Sequence, residues 1–471
     1  MIAIGGTGMA PLACLLQEQG HAVRGSDGPL YPPMSTLLAA AGIEPLVGFD
    51  PAHLDPTPDL VVVGNAVHRH NPEAVEAERR GLPLLSMPQA LARFFLQGRR
   101  PLVVAGTHGK TTTSALASWV LTATGADPGF LVGGLPANLG TSFHSGSGER
   151  FVVEGDEYNA AYFDRGPKFL HYRPETVILT SAEYDHADLY ATPADLLDAY
   201  GRLLDLVPPT GLAVLNGDAP EVRDLAPRVR GKVVFYGLGG DNDIAPRAAE
   251  VVADTALPGR SGTRFRIADP EAGEVEVTLP LAGHHNLSNA LAVWAVARHD
   301  GIPAGEVATA LGIFAGVARR QEELGTAGGV TVVDDFAHHP TAVEVTLDGL
   351  AQRYAGRRLL VLFEPRSLTA GRGFFADAYR RAFRRAGCVL IAPIFHARRF
   401  EPSDLLDREA LAADLATAGV AAEPCASVDA VLARALELAR PGDVVVTMSS
   451  GSFDGIPRRL LAALRERSGP S

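Results

Sequence analysis

Short apolar runs alternate with amphipathic stretches along most of the chain. Ile2 to Ile4, Leu60 to Val63 and Leu84-Leu85 predict short strands separated by helix-like segments, the pattern of βαβ units around a parallel sheet. The linker Gln97-Gly98-Arg99-Arg100-Pro101 interrupts that pattern. Leu102 to Ala105 restarts it, followed by a glycine-rich loop and the helix-like segment Ser114 to Thr124. Phe151 to Glu154, Thr176 to Thr180 and Leu212 to Asn216 predict further strands, with a more β-rich portion between Val233 and Leu281. A break at Phe314-Ala315-Gly316-Val317 opens a third alternating block, in which Val330 to Asp334, Leu359 to Phe363, Val389 to Ala392 and Val444 to Thr447 read as buried strands. The spacing predicts three α/β domains, residues 1–97, 98–317 and 318–471.

Composition narrows the function classes. At 471 residues a single core is too small a description, and 46% hydrophobic with 20% charged residues fits a globular protein. A net charge of -12 argues against nucleic acid as a partner, which requires a basic footprint. Cys14, Cys388 and Cys425 are few and lack metal-ligand spacing, as suits a reducing compartment. The start, Met1 to Gly6, has no basic n-region and no run is long enough to span a bilayer, so the expectation is a cytoplasmic chain without a membrane partner. Only Lys110, Lys168 and Lys232 occur against 39 arginines, which makes each lysine easier to interpret.

The densest chemistry is Gly106-Thr107-His108-Gly109-Lys110-Thr111-Thr112, between a strand and a helix. Glycines there let backbone N–H groups turn toward a polyphosphate, the helix N-terminus adds partial positive charge, Lys110 can reach terminal phosphates and Thr111 can ligate Mg²⁺. ATP is the implied ligand. The full phosphate-loop pattern has Gly where Val104 stands. Glu154-Gly155-Asp156-Glu157 ends a strand, where a carboxylate can complete a Mg²⁺ shell; a solvated turn is the alternative. Glu183-Tyr184-Asp185-His186-Ala187-Asp188 follows another strand and offers a second metal ligand or a surface turn. Asn286 and Asn289, one helical turn apart, suit a purine edge or helix capping. In the first block, Gly5-Gly6-Thr7-Gly8-Met9 with Asp27 downstream suits a diphosphate and ribose, although Pro11 replaces the third fingerprint glycine; a structural turn and a nicotinamide site stay open. Arg319-Arg320, Asp334 to Pro340 and Glu364-Pro365-Arg366-Ser367 lie at strand or linker ends of the third block, as a second wall of the ATP site would.

Taken in order, Gly-Thr-His-Gly-Lys-Thr-Thr, Glu-Gly-Asp-Glu, Asp-His-Ala-Asp, His-Asn-x-x-Asn and Asp-Asp-Phe-Ala-His-His-Pro resemble the Mur ligases of peptidoglycan metabolism, over nearly the whole chain. The resemblance implies a Rossmann-like UDP-binding domain, a central phosphate-loop ATPase domain and a Rossmann-like C-terminal domain that closes on the amine substrate. It implies an ATP- and Mg²⁺-dependent ligase forming an amide through an acyl phosphate. ATP would be held by Gly106, Thr107, His108, Gly109, Lys110, Thr111, Thr112, Asn286, Asn289, Arg320 and Asp335. Lys110, Glu154 and His186 would be catalytic, and Thr111, Glu154 and His186 would hold metal. UDP-N-acetylmuramate would meet Gly6, Gly8, Met9, Ser26, Asp27, Asn65 and His186, and Arg366 would meet a peptide carboxylate. Tyr31 to Thr36, Tyr162 to Pro174, Glu364 to Ser367 and Met448 to Ile456 resemble the recycling branch, which adds the tripeptide L-Ala-γ-D-Glu-meso-diaminopimelate; the biosynthetic branch that adds L-alanine is the alternative. Gly155 stands where the resemblance leads to Ala, and Leu368 where it leads to Asn. Several relatives place a carbamoylated lysine at the second metal; no Lys occurs between Lys168 and Lys232, and Glu183 or Asp185 is expected to supply the charge. The expected assembly is a monomer or weak homodimer.

Overall fold

A computed structural model describes residues 1–186, 189–253, 255–257 and 261–468. In the first unit a small parallel sheet has rows Leu84–Ser86, Val61–Val63, Ile2, Ser26–Asp27 and Leu46–Val47. The predicted strand Ile2 to Ile4 is reduced to bridges at Ile2, because Ala3 turns out of the extended region with φ of 62° as the chain enters its glycine loop.

The central unit is a seven-stranded sheet in the order Lys232–Tyr236, Leu212–Asn216, Thr176–Leu179, Arg100–Ala105, Arg150–Gly155, Gly129–Leu131 and Phe143–His144. Every neighbouring pair is parallel except the last. Period-two side chains explain why helices cover both faces. Val103, Ala105, Val177 and Leu179 enter the core shared with helix Pro193–Asp205. Leu102, Val104 and Ile178 enter the core shared with helices Lys110–Ala123 and His284–His299. The former helix starts at Lys110 and not at Ser114. Gly109 directly precedes it with φ of 82°, so the phosphate-type loop ends in the first helical turn. The β-rich portion forms a three-stranded antiparallel sheet, Pro246–Val252, Gly262–Asp269 and Gly273–Leu279.

The last unit has six strands in the order Glu322–Ala327, Val330–Asp335, Val444–Met448, Leu359–Phe363, Cys388–Ile391 and Ala421–Pro424, parallel apart from the first. Val361 and Phe363 pack with helix Pro340–Arg353, while Leu360 and Leu362 pack with helix Ile456–Ser468. Among the described residues no helix is long and apolar enough to cross a membrane.

Candidate active site

Three parallel strands of the central sheet, Arg100–Ala105, Arg150–Gly155 and Thr176–Leu179, deliver the loop after Ala105, Glu154 and the segment after Thr180 to the same carboxyl edge. In the glycine loop a Cβ at 109 would come 3.0 Å from Asn289 Oδ1, which sets Asn289 against the turn. Asn286 donates Nδ2 to the Ala282 carbonyl at 2.8 Å, so its amide serves a helix end. Gly155 is required by packing in this chain: a Cβ there would lie 2.7 Å from Val103 Cγ1.

Lys110 and Thr111 face two different carboxylates. Thr111 Oγ1 donates to Glu154 Oε2 at 3.1 Å, and Gly133 N–H donates to Glu154 Oε1 at 2.6 Å. Burial, with Asp156 nearby, pushes the Glu154 carboxyl up. A half-buried carboxylate beside a hydroxyl at a helix N-terminus is a set of oxygen donors that fits Mg²⁺. Lys110 Nζ donates to the Gly106 carbonyl at 2.6 Å and to both oxygens of Glu157, at 3.1 and 3.0 Å. Burial opposes the ammonium charge, but Glu157 and Asp156 outweigh it and hold Lys110 above the ordinary lysine value. Burial likewise opposes the Glu157 charge, and Lys110 and His186 win, pulling its pKa down. His186 sits 2.9 Å through Nε2 from Glu157 Oε1. It therefore joins the site through Glu157, with Thr111 and Glu154 forming the neighbouring pair. Ala187 and Asp188 lie outside the described residues.

The C-terminal unit reaches into this edge. Arg320 Nη2 donates to Thr111 Oγ1 at 3.0 Å, and its guanidinium lies 4.7 Å from the Phe336 ring centroid. Asp335 accepts from the Gln321 and Ala337 backbone N–H groups, both at 2.7 Å, so its carboxylate braces the loop that carries Arg320. Glu183 accepts from Thr341 Oγ1 at 2.6 Å across the seam between the two units, and Asp185 accepts from the His186 backbone N–H at 2.7 Å.

His108, Glu183 and His339 place one potential ligand atom each within 4.8 Å of one another. His339 Nδ1 already accepts the Thr341 N–H, capping helix Pro340–Arg353. A cation on Nε2 would need Nδ1 protonated against that donor, which argues against His339 as a metal ligand in this arrangement. Burial keeps His339 neutral, down to about 4.

In the first unit Ser26 is buried and donates its hydroxyl to Glu73, which also meets His53 Nδ1 at 2.7 Å. Asp27 accepts from the Gly5 and Gly28 N–H groups, both at 2.7 Å, and so braces the glycine loop. The Met9 side chain is in the core, Gly8 precedes helix Met9–Glu18, and Gly6 and Asn65 are exposed at the sheet edge. A cavity of about 350 Å³ in this unit is lined by Gly28, Leu30, Ser35, Ala39 and Val47, among others. In the last unit Arg366 lies over the Phe395 ring at 3.7 Å from its centroid, with Nη1 3.5 Å from Glu364 Oε1.

Sequence reasoning did not single out Glu157 within its acidic motif. The signal available was Lys110 itself: a buried ammonium needs a buried counter-charge.

Residues 1–99 match the model of the Mur ligase family catalytic domain, residues 104–297 the Mur ligase middle domain and residues 319–451 the Mur ligase glutamate ligase domain. The chain is 37% identical over 470 residues to the UDP-N-acetylmuramate–L-alanyl-γ-D-glutamyl-meso-2,6-diaminoheptandioate ligase of Escherichia coli K12, covering 99% of this chain and 98% of the relative. It is 35% identical over 479 residues to a UDP-N-acetylmuramate–L-alanine ligase of Mycolicibacterium vanbaalenii, covering 99% and 96%. The crystal structure of a murein peptide ligase from Psychrobacter arcticus 273-4 superposes with a TM-score of 0.72 at 34% identity, covering 98% of each chain.

Proposed function

The chain belongs to the Mur ligase family, and from that premise we propose that it joins UDP-N-acetylmuramate to L-Ala-γ-D-Glu-meso-diaminopimelate in an ATP-dependent reaction of peptidoglycan recycling. The observation that carries the reading is the end-to-end match at 37% identity to a ligase of that substrate pair. The phosphate loop with Lys110, Thr111 and Glu154 at one sheet edge supports ATP as the energy source.

An amide does not form from a carboxylate and an amine at neutral pH until the carboxylate oxygen is made a leaving group. ATP supplies the phosphoryl group; the muramyl carboxylate attacks it to give an acyl phosphate, and the peptide α-amine then displaces phosphate. The protein positions and neutralises charge, with no covalent nucleophile. Loop N–H groups and Lys110 hold the transferring phosphate. Arg320, brought by the C-terminal unit to within 3.0 Å of Thr111, adds a second cation only when the two units meet. Thr111 and Glu154 would hold one Mg²⁺ and His186 a second, and such ions would lower the charge on the phosphate oxygens. The cavity beside Gly28 and Val47 supports the first unit as the seat of the uridine end. The three cysteines are free and buried, as suits a cytoplasmic enzyme.

The identity to the L-alanine ligase, 35%, favours a second reading in which L-alanine is the amine. Incubation with ATP, UDP-N-acetylmuramate and either amine, followed by product mass, separates them. The tripeptide adduct is expected; faster formation of the L-alanine adduct transfers the assignment to the biosynthetic step.

A further inference from the structure

Glu157 is the most deeply buried charged group of the site, 2% exposed, and the residue on which its two halves converge. Both of its oxygens accept from Lys110 Nζ, at 3.1 and 3.0 Å, and Oε1 also lies 2.9 Å from His186 Nε2. Its backbone carbonyl accepts from Tyr190 Oη at 2.7 Å, which pins the turn after strand Arg150–Gly155. The Tyr158 ring stands 4.5 Å from the His186 ring, so the imidazole is held on its face as well as at its edge. Asp185, the other carboxylate near His186, accepts the His186 backbone N–H on Oδ1 at 2.7 Å, and its Oδ2 stays 3.7 Å from Nε2, beyond hydrogen-bond reach.

A carboxylate can only accept from an imidazole nitrogen, so His186 carries a proton on Nε2 and only Nδ1 can offer a lone pair to a metal. Histidines that ligate a metal usually donate their other ring N–H to a carboxylate in this way. We propose that Glu157 is a positioning residue for phosphoryl transfer: one buried carboxylate holds the Lys110 ammonium and fixes His186 through Nε2, leaving Nδ1 as its metal-binding nitrogen. This rests on the ligase reading, in which His186 meets a second ion. Glu157 acts through those two residues and touches no substrate.

The test counts Mn²⁺ by electron paramagnetic resonance in the full-length protein with a non-hydrolysable ATP analogue, AMP-PNP, and UDP-N-acetylmuramate. Wild type is expected to hold two ions. Glu157→Gln, nearly isosteric, is expected to keep AMP-PNP and the first ion while the second binds at least about tenfold more weakly. In a His186→Ala background the Glu157→Gln effect on the second ion should disappear, since the two residues act as a unit. Glu157→Asp, which keeps the charge but shortens the reach, serves if the Gln variant does not fold, with the same loss expected. Unchanged affinity for the second ion, loss of nucleotide and both ions in parallel, or loss in Asp185→Asn but not in Glu157→Gln overturns the proposal. A wild type that holds only one ion overturns it as well. A wild type that binds no AMP-PNP overturns the ligase reading instead.

Discussion

Lys110 is the only lysine of the phosphate loop, and the two carbonyl and carboxylate groups around its Nζ show how firmly the fold fixes it before any phosphate arrives. A cation held in place ahead of reaction is the kind of group whose loss costs turnover without costing the fold. Lys110→Ala is expected to lower kcat by about a thousandfold, the scale for removing a preorganised charge-stabilising group. Release of ADP in the presence of both substrates, with a melting curve as the control, measures this; turnover near wild type in a folded variant contradicts the role. At this scale the sequence was readable where the chemistry is local. Gly106 to Thr112 lie next to one another, and strand, loop and helix follow from their spacing. The partners of Ser26 and Asp27 were not legible because they lie far along the chain: Ser26 answers Glu73, 47 residues on, and Asp27 answers Gly5, 22 residues back. The acidic motif marked a site but could not say which of its carboxylates turns to Thr111 and which to Lys110.

At the scale of elements, alternating apolar runs located the central and C-terminal strands because those sheets are covered on both faces. The first strand was drawn too long, since of Ile2 to Ile4 a single residue, Ile2, makes its bridges. The helix His284–His299 carries a pH-dependent contact that no pattern announces. Gln321 Nε2 lies 3.1 Å from His285 Nε2, and an amide nitrogen can only donate, so the ring accepts there and is neutral. Burial, with His284 adding to it, pushes His285 down to about 4 from 6.5. The folded pKa lies below the unfolded one, so the stabilisation is complete above pH 6.5 and drains as pH falls toward 4. Linkage puts the loss at pH 5 on the order of 2 kcal/mol. Urea unfolding of wild type and His285→Gln at pH 7.5 and pH 5 checks the sign. The variant is expected to lose that much less between the two conditions, and parallel losses would show that His285 does not titrate on unfolding.

For the whole molecule, the question is how a ligase that activates one carboxylate selects a peptide carrying several others. On the proposed function the tripeptide would lie between the central unit, with its phosphate loop, and the C-terminal unit, which brings Arg320 to Thr111. Arg366 belongs to that second wall and is unusually constrained. Its guanidinium is stacked over Phe395, reaches toward Glu364, and abuts Gly451, where a Cβ would fall 2.0 Å from Nε. Ser449 donates to Glu364 and holds that carboxylate in turn. A planar cation fixed on three sides is suited to bidentate pairing with a carboxylate, and a charge-assisted pair of this kind contributes about 1.5–3 kcal/mol. Arg366→Ala is therefore expected to raise the tripeptide KM by roughly ten- to a hundredfold. The KM for UDP-N-acetylmuramate should hardly move, because its uridine end is assigned to the first unit. Gly451→Ala leaves Arg366 in the sequence but denies it this position, so it should reproduce the same one-sided rise. Steady-state kinetics with each substrate varied at saturating levels of the others reads both variants. If both substrates weaken together, Arg366 is supporting closure of the units and not choosing the peptide.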